Sequence, residues 1–263
     1  MDSSLHLTVA SRTDTGRKRS LNEDNLLAIV PEDPTALCER GALLIVADGL
    51  GGHARGEVAS DMVINAVNKF YYADQDHEED IAQSLKLAIS QANIELFKRA
   101  VQEGNDMGTT CVACVVQGEQ AYFANVGDSR AYIVRDGSAR QVTQDHSWVA
   151  EQVRVGLITE AQARVHPQRN VILRSLGIDP GVGIDLFTEQ LQDGDTLLLC
   201  SDGLSGMVED AKIAEIIAAY EPAESVDKLI EQANAEGGLD NITAIVARVS
   251  RGDANQEMSD TRV

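Results

Sequence analysis

The chain has 263 residues, of which 43% are hydrophobic, so it is long and apolar enough to bury the core of a globular protein. Its 42 acidic residues outnumber 22 basic ones, and the formal net charge of −20 argues against nucleic acids and anionic membranes as partners. No apolar run is long enough to span a bilayer, and polar residues 1–4 hold no signal-peptide core, so we expect a cytoplasmic protein.

The first half of the chain mixes strand and helix patterns. Alternating apolar residues predict an edge strand near the N-terminus, and two further apolar runs predict strands, the first followed by turn residues 31–34. Apolar residues at helical spacing predict two long helices. The predicted strands are residues 5–10, 25–30 and 43–47, and the predicted helices are residues 57–72 and 80–101.

The second half returns to strands. Three of them precede or flank the hairpin turn at Asp136-Gly137, and a charged helical segment, residues 145–170, then forms an inserted subdomain with Val149, Val153 and Leu157 as its apolar stripe. Further strands and a helix pair follow, and residues 251–263 form a polar tail. Strands on both sides of a helix pair predict an α+β sandwich of antiparallel sheets covered by helices. The remaining strands are residues 109–116, 121–126, 131–134, 196–200 and 242–249, and the late helices are residues 211–219 and 223–235.

Cys111 and Cys114 form a CxxC pair, a spacing that elsewhere indicates zinc or redox chemistry. Here the pair lies in a predicted strand, where residues three apart point to opposite faces. The two thiols therefore cannot share a ligand, and we interpret them as small buried hydrophobic residues.

Four aspartates occupy similar places at the ends of apolar strands. Asp48 and Asp202 each follow a strand and precede a glycine, Asp128 follows a strand after one glycine, and Asp240 precedes the last strand. Two carboxylates about 4 Å apart repel by about 4 kcal/mol at an effective dielectric constant of 20. If these acids converge at one rim of a sheet, they must take up protons or bind cations.

Each aspartate also has a local interpretation, because Asp-Gly is a common turn in which the carboxylate bonds to nearby backbone. That interpretation weakens for four such acids together with the Glu23-Asp24 pair. A set of oxygen ligands favours Mg²⁺, Mn²⁺ or Ca²⁺ over zinc. The sequence has no DxDxDG loop with a downstream glutamate, which argues against an EF-hand.

Eight short blocks, in order along residues 9–249, resemble the motifs of the PPM (type 2C) protein phosphatases, most closely the bacterial branch. They are RSLNED at 19–24, DGLGGHARGE at 48–57, GTT at 108–110, GDSR at 127–130, DHS at 145–147, HPQRN at 166–170, CSDG at 200–203 and DNIT at 240–243. The resemblance implies a four-layer α-β-β-α sandwich of two antiparallel sheets flanked by helix pairs. It also implies one catalytic domain over residues 1–250 with residues 145–170 as a mobile flap.

The resemblance also implies a role for each matching residue. Asp48 bridges two Mn²⁺ or Mg²⁺ ions, with the Gly49 carbonyl on one of them, and Asp202 and Asp240 hold the other. Glu23 reaches the first ion through water, with Asp24 in support. Asp128 and Asp202 bind a third, weaker ion, and Arg19 binds the substrate phosphate, for which a forked guanidinium is well suited. The catalytic set is thus Arg19, Asp48, Asp202 and Asp240.

The implied activity is hydrolysis of phosphoserine and phosphothreonine in proteins by a metal-bridging hydroxide, opposing protein kinases in bacterial signalling. Two cations reverse the field of the carboxylates, which would otherwise repel a phosphate dianion, and they lower the pKa of water. Expected partners are phosphorylated proteins and a cognate serine/threonine kinase, and the expected state is a monomer.

One position departs from the pattern of some family members, which place a catalytic histidine directly after the Asp-Gly. This chain has Leu50 there, and we assign no catalytic role to His53 in the glycine-rich turn. Our hypothesis is that metal-bound water protonates the leaving group. His146 and His166 lack metal-ligand spacing, so we interpret the former as a turn residue and the latter as an anchor of the flap.

Two other functions remain open. Gly127-Asp128-Ser129 superficially matches a serine nucleophile, although no nucleophile elbow is present. The chain could instead be a pseudophosphatase that binds phosphoproteins without turnover, although no metal ligand or phosphate-binding arginine of the pattern is missing.

Overall fold

The structure is a computed structural model, and it describes residues 5–50, 55–73 and 80–251. In these ranges the chain forms strands and helices that alternate in blocks. The strands are β1 (Leu5–Asp14), β2 (Asp24–Ile29), β3 (Ala42–Leu50), β4 (Gly108–Thr109), β5 (Cys111–Gln117), β6 (Gln120–Val126), β7 (Arg130–Arg135), β8 (Ser138–Gln141), β9 (Asp185–Gln190), β10 (Thr196–Cys200) and β11 (Ile242–Arg251). The helices are α1 (Pro34–Arg40), α2 (Arg55–Ala73), α3 (Ile81–Glu103), α4 (Trp148–Arg154), α5 (Glu160–Arg164), α6 (Asp202–Ser205), α7 (Asp210–Ala219) and α8 (Pro222–Ala235).

The strands form two sheets in which every neighbouring pair is antiparallel. The first sheet has the order β2-β3-β5-β6-β9, with β4 added at the end of β3, and the second sheet has the order β1-β11-β10-β7-β8. The N-terminal strand β1 lies at a sheet edge, as its alternating pattern predicts.

Side-chain alternation along each strand divides the core into three parts. On β3, Leu43 and Ile45 pack with the residues of α2 and α3, whereas Leu44 and Val46 face the other sheet. The outer face of the second sheet is covered by α7 and α8, which bury residues such as Ile213 and Leu229. The layers are therefore helix, sheet, sheet, helix, which confirms the predicted four-layer α-β-β-α sandwich.

The two cysteines of the CxxC pair lie on opposite faces of β5, as predicted. Cys111 belongs to the core beneath the α2–α3 pair, and Cys114 belongs to the core between the sheets. Both thiols are fully buried, and burial raises the pKa of Cys111 to about 12. They are packing residues rather than ligands.

Helix α1 and strand β9 are among the elements that apolar periodicity does not reveal. The proline-rich stretch predicted as a turn continues into helix α1, because Asp33 accepts a hydrogen bond from the Ala36 N–H (2.9 Å) and Pro34 stands in the first turn of the helix. Strand β9 is an edge strand whose side chains are only partly covered, so its apolar pattern is weak. The predicted hairpin at Asp136-Gly137 is present, with positive φ at both residues.

The segment 145–170 differs from the single apolar stripe predicted for it. It forms two short helices, α4 and α5, and Leu157 is 71% exposed while Val149 is buried. Gly156, at φ +75°, follows the end of α4, so residues beyond it do not continue the face of that helix. The division of the chain into a domain, a flap and a tail stays a prediction, and residues 252–263 lie outside the described part.

None of the described helices combines the length and apolarity that a membrane crossing requires.

Candidate active site

A cleft of about 350 Å³ opens where the end of β3, the start of α6 and the loop before β11 meet. It brings together side chains that are far apart in sequence. Six of its lining residues are among those expected from the motifs, namely Arg19, Glu23, Asp48, Gly49, Asp202 and Asp240. The other four are Leu50, Asn170, Ile172 and Asn241.

Asp48 reaches the cleft because it continues the face of β3 that points between the sheets. Its backbone is held firmly by the GTT motif. The Asp48 N–H donates to the Thr110 hydroxyl (2.9 Å), and the Asp48 carbonyl accepts from the Thr109 hydroxyl (2.8 Å) and the Thr110 N–H (2.9 Å). These two threonines therefore fix where the Asp48 carboxylate stands.

Asp24 lies directly opposite Asp48 in the β2–β3 ladder and is 7% exposed. One of its oxygens accepts a hydrogen bond from the Ser201 hydroxyl (2.7 Å), and that hydroxyl accepts from the Thr243 N–H (3.0 Å). The hydrogen bond between Asp24 and Ser201 thus links the first sheet to the second, directly before Asp202 in the chain. Asp24 itself does not line the cleft.

Asp202 and Asp240 come from the second sheet. Asp202 is the first residue of α6, directly after strand β10, and Asp240 stands just before β11. Because β10 and β11 are neighbours in the sheet, their adjoining ends place the two carboxylates in the same cleft.

Asp128 is 5% exposed and lies in the turn between β6 and β7 rather than in the lining of the cleft. The adjacent Ser129 is fully buried, and its hydroxyl lies 2.7 Å from that of Thr110. The GDSR motif therefore joins the Asp128 turn to the threonine that supports Asp48. A serine enclosed in this way cannot reach a substrate, which removes the structural basis for a serine hydrolase.

Burial and mutual repulsion raise the pKa of these carboxyl groups. The pKa of Asp48 rises well above its usual value, first through burial and then through the charges of Asp24, Asp202, Asp128 and Asp240. Burial, with the charges of neighbouring acids, raises the pKa of Asp24 to about 7 and that of Asp202 to about 6. The pKa of Asp128 is also raised, by burial and then by Asp202. Positive charge, as protons or cations, would relieve this repulsion.

Arg19 projects over the cleft from an exposed loop and is itself about half exposed. Its guanidinium donates to Asp240 (2.7 Å) and lies 3.9 Å from the Glu23 carboxylate. The expected phosphate-binding group thus contacts two of the expected metal ligands.

The donor set suits hard divalent cations, because every candidate ligand is an oxygen. One oxygen each of Asp24, Asp128 and Asp202 is buried without any hydrogen-bond partner, a costly state that a bound cation would relieve. As the side chains stand, no group of three or more His, Cys, Asp or Glu residues in the described ranges is close enough to hold an ion. One of the expected ligands, Asp240, is paired with Arg19 instead.

The comparison with known families agrees with this geometry. A family model described as protein phosphatase 2C matches residues 17–245. The chain belongs to the protein phosphatase 2C family. Among curated members, the serine/threonine phosphatase Stp of Listeria innocua is 40% identical over 240 residues, which cover 89% of this chain and 93% of that one.

Solved structures of this phosphatase 2C family share the fold closely. The crystal structure of the Mycobacterium tuberculosis serine/threonine phosphatase PstP/Ppp superposes with a TM-score of 0.83 at 39% identity, covering 93% of this chain and 99% of the other. A structure of the PstP catalytic domain in complex with two manganese ions has a TM-score of 0.81 at 37% identity, covering 94% of this chain and all of that one.

Several residues in or beside this phosphatase 2C site were not assigned functional roles from the sequence. Asn170 and Ile172 enter the cleft from the end of the 145–170 segment, and Asn241 lines it beside Asp240. His146 is buried, accepts a hydrogen bond from the Gly127 N–H (3.0 Å) and lies 3.1 Å from Asp185. Asn170, His146 and Asn241 lie within the family-like blocks HPQRN, DHS and DNIT, so the motifs marked these residues without indicating what they contact. His53 lies outside the described residues.

Gly203 allows the backbone of α6 to approach the loop that carries Asp240. A Cβ atom at this position would overlap the carbonyl oxygen of Asn241, which is backbone and cannot turn away. We expect Gly203→Ala to lower the free energy of unfolding by about 3 kcal/mol and to displace Asp202. Urea denaturation followed by circular dichroism measures the loss. Gly181→Ala is the matched control, because no atom lies within 4 Å of its added Cβ; equal stability of the two variants would contradict the expectation.

Proposed function

We propose that this chain is a metal-dependent protein serine/threonine phosphatase that hydrolyses phosphoserine and phosphothreonine monoesters. The observation that carries the proposal is the meeting of Asp48, Asp202 and Asp240 with Arg19 in one cleft, from separate parts of the chain. Carboxylates that repel one another, beside a guanidinium suited to phosphate, form a site for cations and a phosphate monoester together. Membership of the phosphatase 2C family and relatives named serine/threonine phosphatases support the same activity.

The proposed cofactors are two Mn²⁺ or Mg²⁺ ions. Asp48 would contact both, with the Gly49 carbonyl on one and Asp202 and Asp240 on the other, and Glu23 would reach the first ion through water. Asp128 and Asp202 would hold a third, weaker ion. When bound, such ions neutralise phosphate charge and lower the pKa of water so that it can attack phosphorus near neutral pH. The PstP structure in complex with two manganese ions supports the kind and number of the main ions.

The protein's own groups supply position and charge. Thr109 and Thr110 fix the backbone of Asp48, and the Ser201–Asp24 hydrogen bond holds the two sheets in register beneath it. Arg19 would leave Asp240 when the site fills and bind two oxygens of the phosphate. Its exposed position lets it make that move without opening the core.

The proposed function is tested by hydrolysis of p-nitrophenyl phosphate and of phosphoserine, phosphothreonine and phosphotyrosine peptides by metal-depleted protein. We expect turnover of the first three substrates to appear with added Mn²⁺ or Mg²⁺ and to disappear with EDTA. Activity that survives EDTA but is lost in Ser129→Ala would support a serine hydrolase instead. Pure, metal-loaded protein without turnover would support a pseudophosphatase.

Arg19→Ala tests the phosphate-binding role separately from metal binding. Because a bidentate, charge-assisted contact is lost, we expect KM for p-nitrophenyl phosphate to rise about 10- to 100-fold. The affinity for Mn²⁺, measured by isothermal titration calorimetry, should not fall, since Asp240 gains freedom when its ion pair is removed. Arg12→Ala is the control, because Arg12 also pairs with an aspartate but on the outer surface, with Asp227 (2.6 Å). An unchanged KM in Arg19→Ala would contradict the role.

The cellular setting is also part of the proposal. We place the enzyme in the cytoplasm as a monomer that acts on phosphorylated proteins and opposes a cognate serine/threonine kinase in bacterial signalling. Support comes from relatives named as serine/threonine phosphatases in Listeria and Mycobacterium. Comparing the phosphoproteome of cells with and without the gene would identify the substrates, and light scattering of the purified protein would give its mass.

A further inference from the structure

Asn241 is buried at 3% exposure and uses its whole carboxamide on one neighbouring loop. Its Nδ2 donates to the carbonyl oxygens of Thr15 (3.0 Å) and Leu21 (2.9 Å), and its Oδ1 accepts from the Glu23 N–H (2.8 Å). Three backbone groups spread over nine residues are thus held by one side chain. We call this loop, residues 15–23, the Arg19 arm.

The Arg19 arm has no buried apolar side chain to hold it in place. None of its residues is buried, and residues 17–21 are exposed. Leu21 is its one large apolar side chain and is 38% exposed. An arm without apolar burial gains little from the hydrophobic effect, so its conformation depends on polar contacts.

Other hydrogen bonds hold the two ends of the arm. At its C-terminal end, the Glu23 carbonyl accepts from the Ser60 hydroxyl (2.7 Å) and the Gly49 N–H (3.1 Å), and the Asn22 carboxamide donates to the Thr13 hydroxyl (2.8 Å). The Arg17 N–H donates to the Gly238 carbonyl (2.7 Å), and the Gly16 N–H donates to the Asp14 carboxylate (2.9 Å). The Asn241 N–H in turn bonds to the Asp240 carboxylate (2.9 Å). The adjacent residues Asp240 and Asn241 therefore have different functions. Asp240 supplies a carboxylate that faces the cleft, and Asn241 supplies the side-chain amide that holds the arm beside it.

We propose that Asn241 is a positioning residue for phosphate binding: it fixes the Arg19 arm so that Arg19 and Glu23 face the cleft. The inference rests on the phosphate-binding role proposed for Arg19. Without the three hydrogen bonds, the arm would sample many conformations, and the guanidinium would have to be ordered each time a phosphate binds. The cost of that ordering appears as weaker phosphate binding.

Hydrogen–deuterium exchange tests the structural part without reference to activity. In Asn241→Ala we expect the amides of Gly16, Arg17 and Glu23 to exchange at least about tenfold faster, because their segment opens. Asn241→Asp, which has the same shape, keeps the acceptor for the Glu23 N–H but loses both donors. In that variant the Gly16 and Arg17 amides should exchange as fast as in Asn241→Ala, whereas the Glu23 amide should exchange more slowly than it does in Asn241→Ala.

Asn93→Ala is the matched control for general loss of stability. Asn93 is 1% exposed and holds a different loop through the Gly177 N–H (2.8 Å) and the Asp179 carbonyl (3.0 Å). We expect this variant to lower the melting temperature without changing exchange in the Arg19 arm. If the arm is deprotected equally in Asn93→Ala and Asn241→Ala, or in neither, the positioning role is wrong.

The functional part is tested with inorganic phosphate as a competitive inhibitor of p-nitrophenyl phosphate hydrolysis. We expect Asn241→Ala to raise the inhibition constant about tenfold and to raise KM more than it lowers kcat. Because Asn241 acts through Arg19, the double variant Arg19→Ala/Asn241→Ala should bind phosphate no more weakly than Arg19→Ala alone. Additive losses would overturn the inference.

The same experiment separates the two proposals. If Arg19→Ala weakens phosphate binding and Asn241→Ala does not, the inference about Asn241 is wrong while the proposed site stands. If Arg19→Ala itself leaves phosphate inhibition unchanged, the role proposed for Arg19 is wrong, and the inference is wrong with it.

Discussion

Replacing Asp48 by asparagine is expected to lower kcat/KM for p-nitrophenyl phosphate on the order of 10³-fold, which is about 4 kcal/mol of transition-state stabilisation. Asp48 stands between the carboxylates of the first sheet and those of the second, and its charge couples to four other aspartates. The substitution keeps the shape of the side chain but removes the charge that would bridge two cations. Steady-state kinetics at saturating Mn²⁺, with calorimetric titration of Mn²⁺, measures the loss.

Asp136→Asn is the matched control, because Asp136 also precedes a glycine but lies exposed in the β7–β8 turn at φ 51°. Asparagine tolerates that backbone conformation, so activity and stability should be unchanged. If Asp48→Asn retained the activity of Asp136→Asn, the cleft would not be the site of hydrolysis. Unfolding of Asp48→Asn is not expected, since the variant relieves repulsion in the metal-free protein.

The metal-free protein is expected to lose stability as pH rises from about 4 to about 7, and to regain it when Mn²⁺ is added. Burial raises the pKa of Asp24 to about 7 and that of Asp202 to about 6, while both are near 3.9 in the unfolded chain. Between these values the folded state binds more protons than the unfolded state, so the free energy of unfolding falls as pH increases. Above pH 7 both carboxyl groups have lost their protons in the folded state as well, so the loss of stability is complete.

Thermal unfolding at pH 5 and pH 8, with EDTA or with Mn²⁺, measures this behaviour. At pH 8 and about 100 times its dissociation constant, a bound ion contributes about 2.7 kcal/mol, or a rise of about 5 to 10 °C in Tm. Because the net charge of −20 also opposes folding at high pH, the comparison is made against Asp24→Asn. A metal-free wild type no more sensitive to pH than Asp24→Asn would contradict the linkage.

The strands and helices that carry the core follow from local patterns in the sequence. The α2–α3 and α7–α8 pairs have helical spacing of apolar residues, and β3, β5 and β10 are apolar runs, so burial and periodicity agree. The exceptions are elements whose stability comes from elsewhere. Helix α1 depends on the Asp33 cap, and β9 depends on its hydrogen bonds to β6.

The segment 145–170 shows a limit of periodicity. Val149 and Leu157 have the spacing of one helical face, yet only Val149 is buried. Gly156 allows the chain to turn after α4, and where the next residues go depends on contacts such as the hydrogen bond from Arg164 to the Ser205 carbonyl (3.2 Å). A spacing rule applies only while the helix continues.

The sequence alone predicted residues that line the cleft, namely aspartates at the ends of apolar strands and an arginine. Only the tertiary structure decided how they meet. It places Asp24 opposite Asp48, pairs Arg19 with Asp240, and joins Asn241 to the Arg19 arm by hydrogen bonds. The reason is that local patterns reflect each residue's own preference for helix, strand or burial. Contacts between remote segments depend on sheet order and on which backbone groups remain unpaired when the sheets close on each other.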